Sequence, residues 1–373
     1  MTMPNDSQPT DRSKPALSLS GGGFRATLFH LGVLIRLNEF QMLEGIERIS
    51  SVSGGSIVAG VLAKAWPNLG FSNSRAMRLN ELVIDPLRSF CKRNIDKWAI
   101  AKGAAHPWKR IGDVLADTYD DLLGGTTLDM LEDKPQFVFK ATNLQTGRLF
   151  RFSKTRLADY RIGEVPEPKG IRVAIAVAAS SAFPPFLSPV ELKVDRTLWR
   201  SFEGADLFTA PAYHGTLYLT DGGVYDNLGL ETIDSFKTVL VSDAGAPFAM
   251  EPNAGTWWHQ QAMRALDIAT DQSRGLRKRL LAAESKANQQ VYAYWSIDSD
   301  IKEYGIADHL GCDSATTRGL GRIRTRLNAF SDEEQGRLMN WGYALCDAAV
   351  RRYALEGRTA DAPRWPVPAY PLD

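Results

Sequence analysis

The stretch ALSLSGGGFRA, residues 16–26, carries a short apolar run into three glycines and on into a region of helical periodicity. Ala16 to Ser20 reads as a buried strand. Phe24 to Phe40 reads as a helix, with Leu28, Leu31, Leu34 and Ile35 recurring at helical spacing. The same order then repeats. Arg48 to Val52 is a second candidate strand, Ser53-Gly54-Gly55 a turn, and Ser56 to Ala65 a helix of small residues. Two strand–glycine turn–helix units in succession specify a parallel α/β sheet, because parallel neighbours need a crossover between them.

Further along, Leu79 to Met130 reads mainly as helix, with a break near Gly103 to Trp108. Strands are expected at Gln136 to Ala141, Leu149 to Phe152, Leu217 to Thr220 and Thr238 to Asp243. Past Gly245 come a long helix from Trp257 to Lys286, a strand from Val291 to Ile297 and a closing helix from Ser331 to Tyr353. The expected division is a disordered polar N-terminus over 1–14 and an α/β domain over 15–249. A mainly helical part over 250–360 packs on the same domain, and an irregular tail with four prolines covers 361–373. The expected class is α/β, with a mainly parallel central sheet and a helical C-terminal extension.

At 373 residues, 44% hydrophobic and 23% charged, the composition is that of an ordinary globular protein. A net charge of +1 gives no global pull toward nucleic acid, and no nucleic-acid partner is expected. Cys91, Cys312 and Cys346 are odd in number and far apart, fitting neither a disulfide framework nor a zinc spacing. The polar N-terminus has no apolar core of a signal peptide. The longest uncharged run, Val173 to Val190, holds Pro184, Pro185 and Pro189 and reads as protein interior rather than a membrane span. A cytoplasmic location is expected, with peripheral membrane contact open.

Three segments carry chemistry. In Ser20-Gly21-Gly22-Gly23-Phe24-Arg25-Ala26, successive glycines let backbone N–H groups converge, and the helix that follows adds positive potential. Such a loop can hold the oxyanion of an acyl-transfer intermediate. It also fits a dinucleotide fingerprint, Gly21-x-Gly23-x-x-Ala26, which requires an acid at the end of the second strand to bind ribose. That strand ends Ser50-Ser51-Val52-Ser53, without one. The second segment, Ser51-Val52-Ser53-Gly54-Gly55, is a G-x-S-x-G variant with Ser51 in the first position. A serine on a sharp strand-to-helix turn projects its hydroxyl, and small neighbours let the turn close.

The third segment is Thr220-Asp221-Gly222-Gly223. A serine nucleophile needs a base within hydrogen-bond reach. None of His30, His106, His214, His259 and His309 lies in a motif that places it opposite Ser53. An aspartate on a glycine loop can act directly if its surroundings make it basic enough.

In this order, SGGGFR, SVSGGS and DGGVYDNLGLE resemble the patatin-like phospholipase family. The stretch Ala178-Ala179-Ser180-Ser181-Ala182-Phe183-Pro184-Pro185-Phe186 resembles the segment that precedes the aspartate there, and Arg326 to Phe330 through Tyr343 resembles the C-terminal part of some bacterial members. The resemblance implies a three-layer α/β/α fold acting on acyl esters of lipids through a Ser-Asp dyad, with no metal or organic cofactor. Carried over by position, Ser53 is the nucleophile and Asp221 the base. Gly21, Gly22 and Gly23 supply oxyanion donors, with Arg25, Gly55, Gly222 and Gly223 in support. The one departure is Ser51 for the usual glycine.

Two basic clusters stand outside these motifs. Arg88 to Arg110 holds seven basic residues against Asp96 alone, with Trp98 and Trp108 interleaved. It reads either as an interfacial anchor to anionic lipid or as a solvated helical face. Arg274, Arg277, Lys278 and Arg279 read as a solvated face in preference to a phosphate contact. The functional expectation is a serine lipid acyl hydrolase of phospholipase A or lysophospholipase type. Alternatives are a general carboxylesterase or thioesterase with the same dyad, or a nucleotide-binding regulatory protein using the glycine loop.

Overall fold

The computed structural model describes residues 10–95, 110–288, 290–355 and 361–373. The first two units form as read: β1 (Pro15–Leu19), α1 (Gly23–Glu39), β2 (Arg48–Val52) and α2 (Gly54–Ala65). A small ribbon of β3 (Phe71–Ser72) and β4 (Arg75–Ala76) leads through a π-helical turn to α3 (Asp85–Phe90), and α4 spans Ile111–Leu123. There follow β5 (Gln136–Asn143), β6 (Arg148–Phe152), β7 (Arg156–Asp159), β8 (Gly163–Pro166) and α5 (Val173–Ser181). Then come β9 (Val190–Lys193), β10 (Thr216–Asp221), α6 (Gly223–Asp226) and β11 (Thr238–Asp243). The chain closes through α7 (Trp258–Asn288), β12 (Val291–Ser296), α8 (Ser314–Gly321) and α9 (Asp332–Tyr353). The helical break expected near Gly103 lies outside the described residues.

One sheet runs β12-β11-β1-β2-β5-β6-β7-β8, with β10 against β5 and β9 against β10. From β12 to β5 every pairing is parallel, as expected; beyond β5 every pairing is antiparallel, so the sheet is mixed. From β5 to β8 the reason is the length of the links. β5 turns into β6 at once, with Gly147 N–H closing the turn on the Asn143 carbonyl at 2.8 Å, and a link that short joins only antiparallel neighbours.

Alternation along the strands divides the interior. Leu17, Leu19, Ile49 and Leu240 join the main core under α1, α2 and α9, whereas Ala16, Val239 and Val241 face Leu228, Ile233, Phe236 and Leu281 on the other side. The C-terminal part is integral to these layers: β12 extends the sheet and α9 lies against α1. Ser331 caps α9 through a capping box with Glu334, and Arg36 of α1 meets Asp347 of α9 in a buried ion pair at 2.6 Å. The end of the polar N-terminus is not loose. Arg48 donates to Thr10 at 3.1 Å, and the Asp11 amide donates to Glu47 at 3.0 Å.

The uncharged run Val173 to Val190 divides into α5 and a proline loop leading into β9. Among the described residues, no helix is long and apolar enough to cross a membrane. The three cysteines are free thiols.

Candidate active site

Two strands meet end to end along one flank of β5. β2 pairs with the first part of β5 and stops with Val52 beside Lys140. β10 arrives from the opposite direction and stops with Asp221 beside Ala141, on the next rung. The other flank of β5 is occupied by β6, so this junction falls where both chains must turn away. Ser53 is the first residue past the end of β2, and this register brings it to Asp221.

At Ser53 the backbone takes φ 51 and ψ −118, a conformation that costs a non-glycine residue about 1–3 kcal/mol and needs outside support. α2 begins at the next residue, so its positive end faces the serine. Gly55 allows the helix to start this close to the glycine loop: a Cβ there would stand 2.3 Å from the Leu19 carbonyl. The Asp221 carboxyl is buried, and burial pushes it up to about 6, opposed by hydrogen bonds from the Ser53 side chain and the Gly223 amide. The Gly223 bond measures 2.7 Å. A Cβ on Gly222 would lie 2.3 Å from the Lys140 carbonyl, so this turn closes against β5 only without a side chain.

The glycine loop lies beside both. A Cβ on Gly21 would come within 2.3 Å of Asn227 Oδ1 and 3.1 Å of the Ser53 Cβ. The Gly21 amide donates to the Asn227 carbonyl at 3.1 Å, which occupies one of the three donors expected for an oxyanion. The amides of Gly22 and Gly23 donate to no backbone carbonyl among the described residues. Gly23 has φ 57, and a Cβ there would stand 1.9 Å from the Thr325 carbonyl.

The sequence model of the patatin-like phospholipase family matches residues 17–234, more than half of the chain and all three of these segments. The chain belongs to the patatin-like phospholipase family. Its fold is the three-layer arrangement expected of that family, and the family is one of lipid acyl hydrolases. Among solved structures, it is similar to human GIVD cytosolic phospholipase A2, at 14% identity and TM-score 0.48, covering 92% of this chain and 61% of that one. The same human protein in complex with methyl gamma-linolenyl fluorophosphonate gives TM-score 0.47 at 14% identity, covering 95% and 61%. VipD from Legionella pneumophila gives 0.38 at 14% identity, covering 92% and 68%. No curated protein matches the chain in sequence.

In this patatin-like chain the support around the two side chains is explicit. Ser180, from the segment before the aspartate, accepts the Ser53 N–H on its Oγ at 2.9 Å. Its own hydroxyl donates to the Lys140 carbonyl at 2.6 Å, and its carbonyl accepts the Gly222 N–H at 3.1 Å. One serine thus fixes both turns. Ser56 Oγ lies 2.8 Å from Ser180 Oγ and donates to Ser51 Oγ at 2.9 Å, so Ser51 takes part in this chain of hydroxyls. On the other face, Ser50 Oγ donates to the Gly229 carbonyl at 2.7 Å, and Ser18 binds the Leu228 carbonyl. Sequence reasoning assigned these serines no bonding role, although Ser51 and Ser180 stand in the motifs it singled out; Ser18 and Ser50 showed only as polar residues inside buried strands.

Arg25 is buried, with its guanidinium donating to the carbonyls of Gly321, Ile323 and Ala244 at 3.2, 2.8 and 2.7 Å. It braces the loop. Asp226 accepts amides of Gly229 and Leu230 at 3.1 and 2.8 Å and lies 3.6 Å from the buried Lys140 ammonium. Burial lowers Lys140 to about 8. His30 is buried and neutral in character, pulled down to about 4 by burial and held by Ser242 at 2.8 Å and the Ser20 carbonyl at 3.0 Å.

The solvated-face reading of Arg274, Arg277 and Lys278 is corrected. Arg274 is buried against Asp243 at 2.7 Å, Lys278 joins the same carboxylate at 3.3 Å, and Arg277 reaches Asp226 at 3.4 Å. Carboxylates at the ends of β11 and α6 need these partners. In the other basic cluster, Lys92 pairs with Asp332 at 2.7 Å, Arg93 with Asp121 at 3.2 Å, and Arg110 with Glu191. Residues 96–109, with both tryptophans, lie outside the described residues.

Proposed function

We propose that this chain is a serine lipid acyl hydrolase, of phospholipase A or lysophospholipase type, working through a Ser53–Asp221 dyad. The observation that carries the reading is the meeting of β2 and β10 on β5, which sets a strained serine against a buried aspartate. Asp221 takes the hydroxyl proton as Ser53 Oγ attacks the ester carbonyl. The C–O bond to the leaving alcohol or lysolipid breaks, and the proton passes from Asp221 to that oxygen. Water, deprotonated by the same carboxylate, then attacks the acyl-serine; the acyl C–Oγ bond breaks, the proton passes from Asp221 back to Ser53 Oγ, and the fatty acid leaves.

The negative oxygen of each tetrahedral intermediate needs donors that are not already engaged. The amides of Gly22 and Gly23 and the positive end of α2 fit that need. Gly21, whose amide is held by Asn227, serves as the packing contact that lets Ser53 and Asn227 approach. Arg25 acts through the loop, since its guanidinium is committed to three carbonyls.

Purified protein should release fatty acid from phospholipid vesicles, and Ser53→Ala and Asp221→Asn should each abolish release while keeping the circular-dichroism spectrum. Turnover by Ser53→Ala at the wild-type rate would sink the dyad. Hydrolysis of short soluble esters with none of vesicle lipid would assign the dyad to an esterase instead.

A further inference from the structure

The loop that carries Asp221 sets one more polar group beside the dyad. Asn227 follows α6 with helical backbone, φ −66 and ψ −22. Its carbonyl accepts the Gly21 amide at 3.1 Å. Its side chain is half-buried and makes no hydrogen bond among the described residues.

Two glycines locate that side chain. The position a Cβ would take on Gly21 lies 2.3 Å from Asn227 Oδ1 and 3.1 Å from the Ser53 Cβ. The corresponding position on Gly223 lies 2.7 Å from Asn227 Oδ1 and 3.0 Å from Asp221 Oδ1. The carboxamide oxygen therefore faces both dyad residues across gaps that a single carbon would close. Nδ2 faces Gly245, 2.9 Å from where a Cβ there would stand. An oxygen beside a reactive pair, half open to solvent and bonded to nothing in the protein, is free to bind a molecule that enters the site.

The second half of the reaction brings such a molecule. Water attacking the acyl-serine carries two hydrogens. One passes to Asp221 as the water oxygen bonds to the acyl carbon; the other needs an acceptor of its own. Ser180 Oγ is already engaged, with the Ser53 amide at 2.9 Å, the Lys140 carbonyl at 2.6 Å and Ser56 Oγ at 2.8 Å.

We propose that Asn227 Oδ1 holds the hydrolytic water by its second hydrogen, and so directs the acyl-serine to water in preference to an alcohol. An alcohol has one O–H. It can give that proton to Asp221 and attack, but it has none left for Asn227, so the bond lowers the barrier for water alone. After the attack the acyl C–Oγ bond breaks, the proton on Asp221 returns to Ser53 Oγ, and the fatty acid leaves with the hydrogen that Asn227 held. Formation of the acyl-serine gains nothing from Asn227, because the ester oxygen that departs carries no hydrogen. The proposal rests on the Ser53 acyl-enzyme proposed above.

The test is turnover of p-nitrophenyl butyrate by the full chain in a series of water–methanol mixtures, with butyric acid and methyl butyrate both measured. The ratio of acid to ester is set within one intermediate, so neither the folded fraction nor the rate of acylation moves it. Asn227→Ala should lower that ratio about tenfold, the effect of one hydrogen bond present in one transition state and absent from the other. The substitution breaks no side-chain hydrogen bond among the described residues and suits the helical backbone. Asn227→Asp, which keeps an acceptor oxygen in place, should retain a ratio close to that of wild type. The nitrophenol burst that marks acylation should keep its wild-type rate in Asn227→Ala. An unchanged ratio in Asn227→Ala, or a burst slowed as much as steady turnover, would overturn the role of Asn227 and leave the dyad standing. Acid without methyl ester in every mixture, from wild type and Asn227→Ala alike, would sink the acyl-enzyme itself and this proposal with it.

Discussion

At the scale of single residues, the proposed dyad makes the carboxyl of Asp221 the group that sets the working range. A base must be ionised to accept a proton, and burial pushes this one up to about 6. The rate should therefore rise with pH through an apparent value near 6, read in kcat/KM against a soluble ester; a flat profile from pH about 4 to 8 would remove Asp221 as the base. The pairing of Ser53 with Asp221 in space was legible because both stand in glycine turns whose letters are constrained by geometry. Ser180 was not. Its place in a motif was visible, yet its task depends on two turns from distant parts of the chain meeting at one hydroxyl and one carbonyl, and spacing along a helix carries no trace of that.

At the scale of elements, α1, α2, α7 and α9 were legible because each is long and starts or stops on a clear signal, such as the Ser331 capping box. β7, β8 and β9 were not, being four residues each and containing Arg156, Asp159, Pro166 and Lys193, a composition that reads as loop. The basic face of α7 misled for a related reason. Periodicity shows which residues share a face, but the carboxylates that claim them sit on β11 and α6. Those ion pairs predict an asymmetry. Arg274→Met removes a guanidinium held to Asp243 through Nε and Nη2 and should destabilise the fold by about 3–5 kcal/mol. Lys140→Met should cost clearly less, since the lysine ammonium makes no hydrogen bond among the described residues and Asp226 keeps Arg277 and its backbone donors. Urea midpoints of the two variants decide it; equal losses would show that burial alone, and not hydrogen bonding, sets the value of these pairs.

For the whole molecule, pH acts on stability in two opposite ways. Burial raises Asp243, but Arg274 and Lys278 outweigh it and hold that carboxyl well below the usual range, so its contribution is present above pH about 4 and is lost on acidification. Asp221 has the reverse sign. Its folded value lies above its unfolded one, so stability falls as pH rises from about 4 to about 6, and above that range the fold carries the cost of a buried charge. Asp221→Asn should therefore raise stability at pH about 8 by on the order of 2–3 kcal/mol, read as a higher melting temperature, and change it little at pH about 4. An unchanged melting temperature at both values would mean that the carboxylate is better solvated than its burial implies.

The bracing of the glycine loop by residues 321–326 has a further consequence, for the order of events during synthesis. Ser53 leaves the ribosome early, Asp221 much later, and the carbonyls that grip Arg25 later still. Until those last residues emerge, the loop lacks its brace and the serine lacks its settled surroundings. In the nascent chain the loop that Ser53 adjoins is therefore completed last, by residues made well after both Ser53 and Asp221.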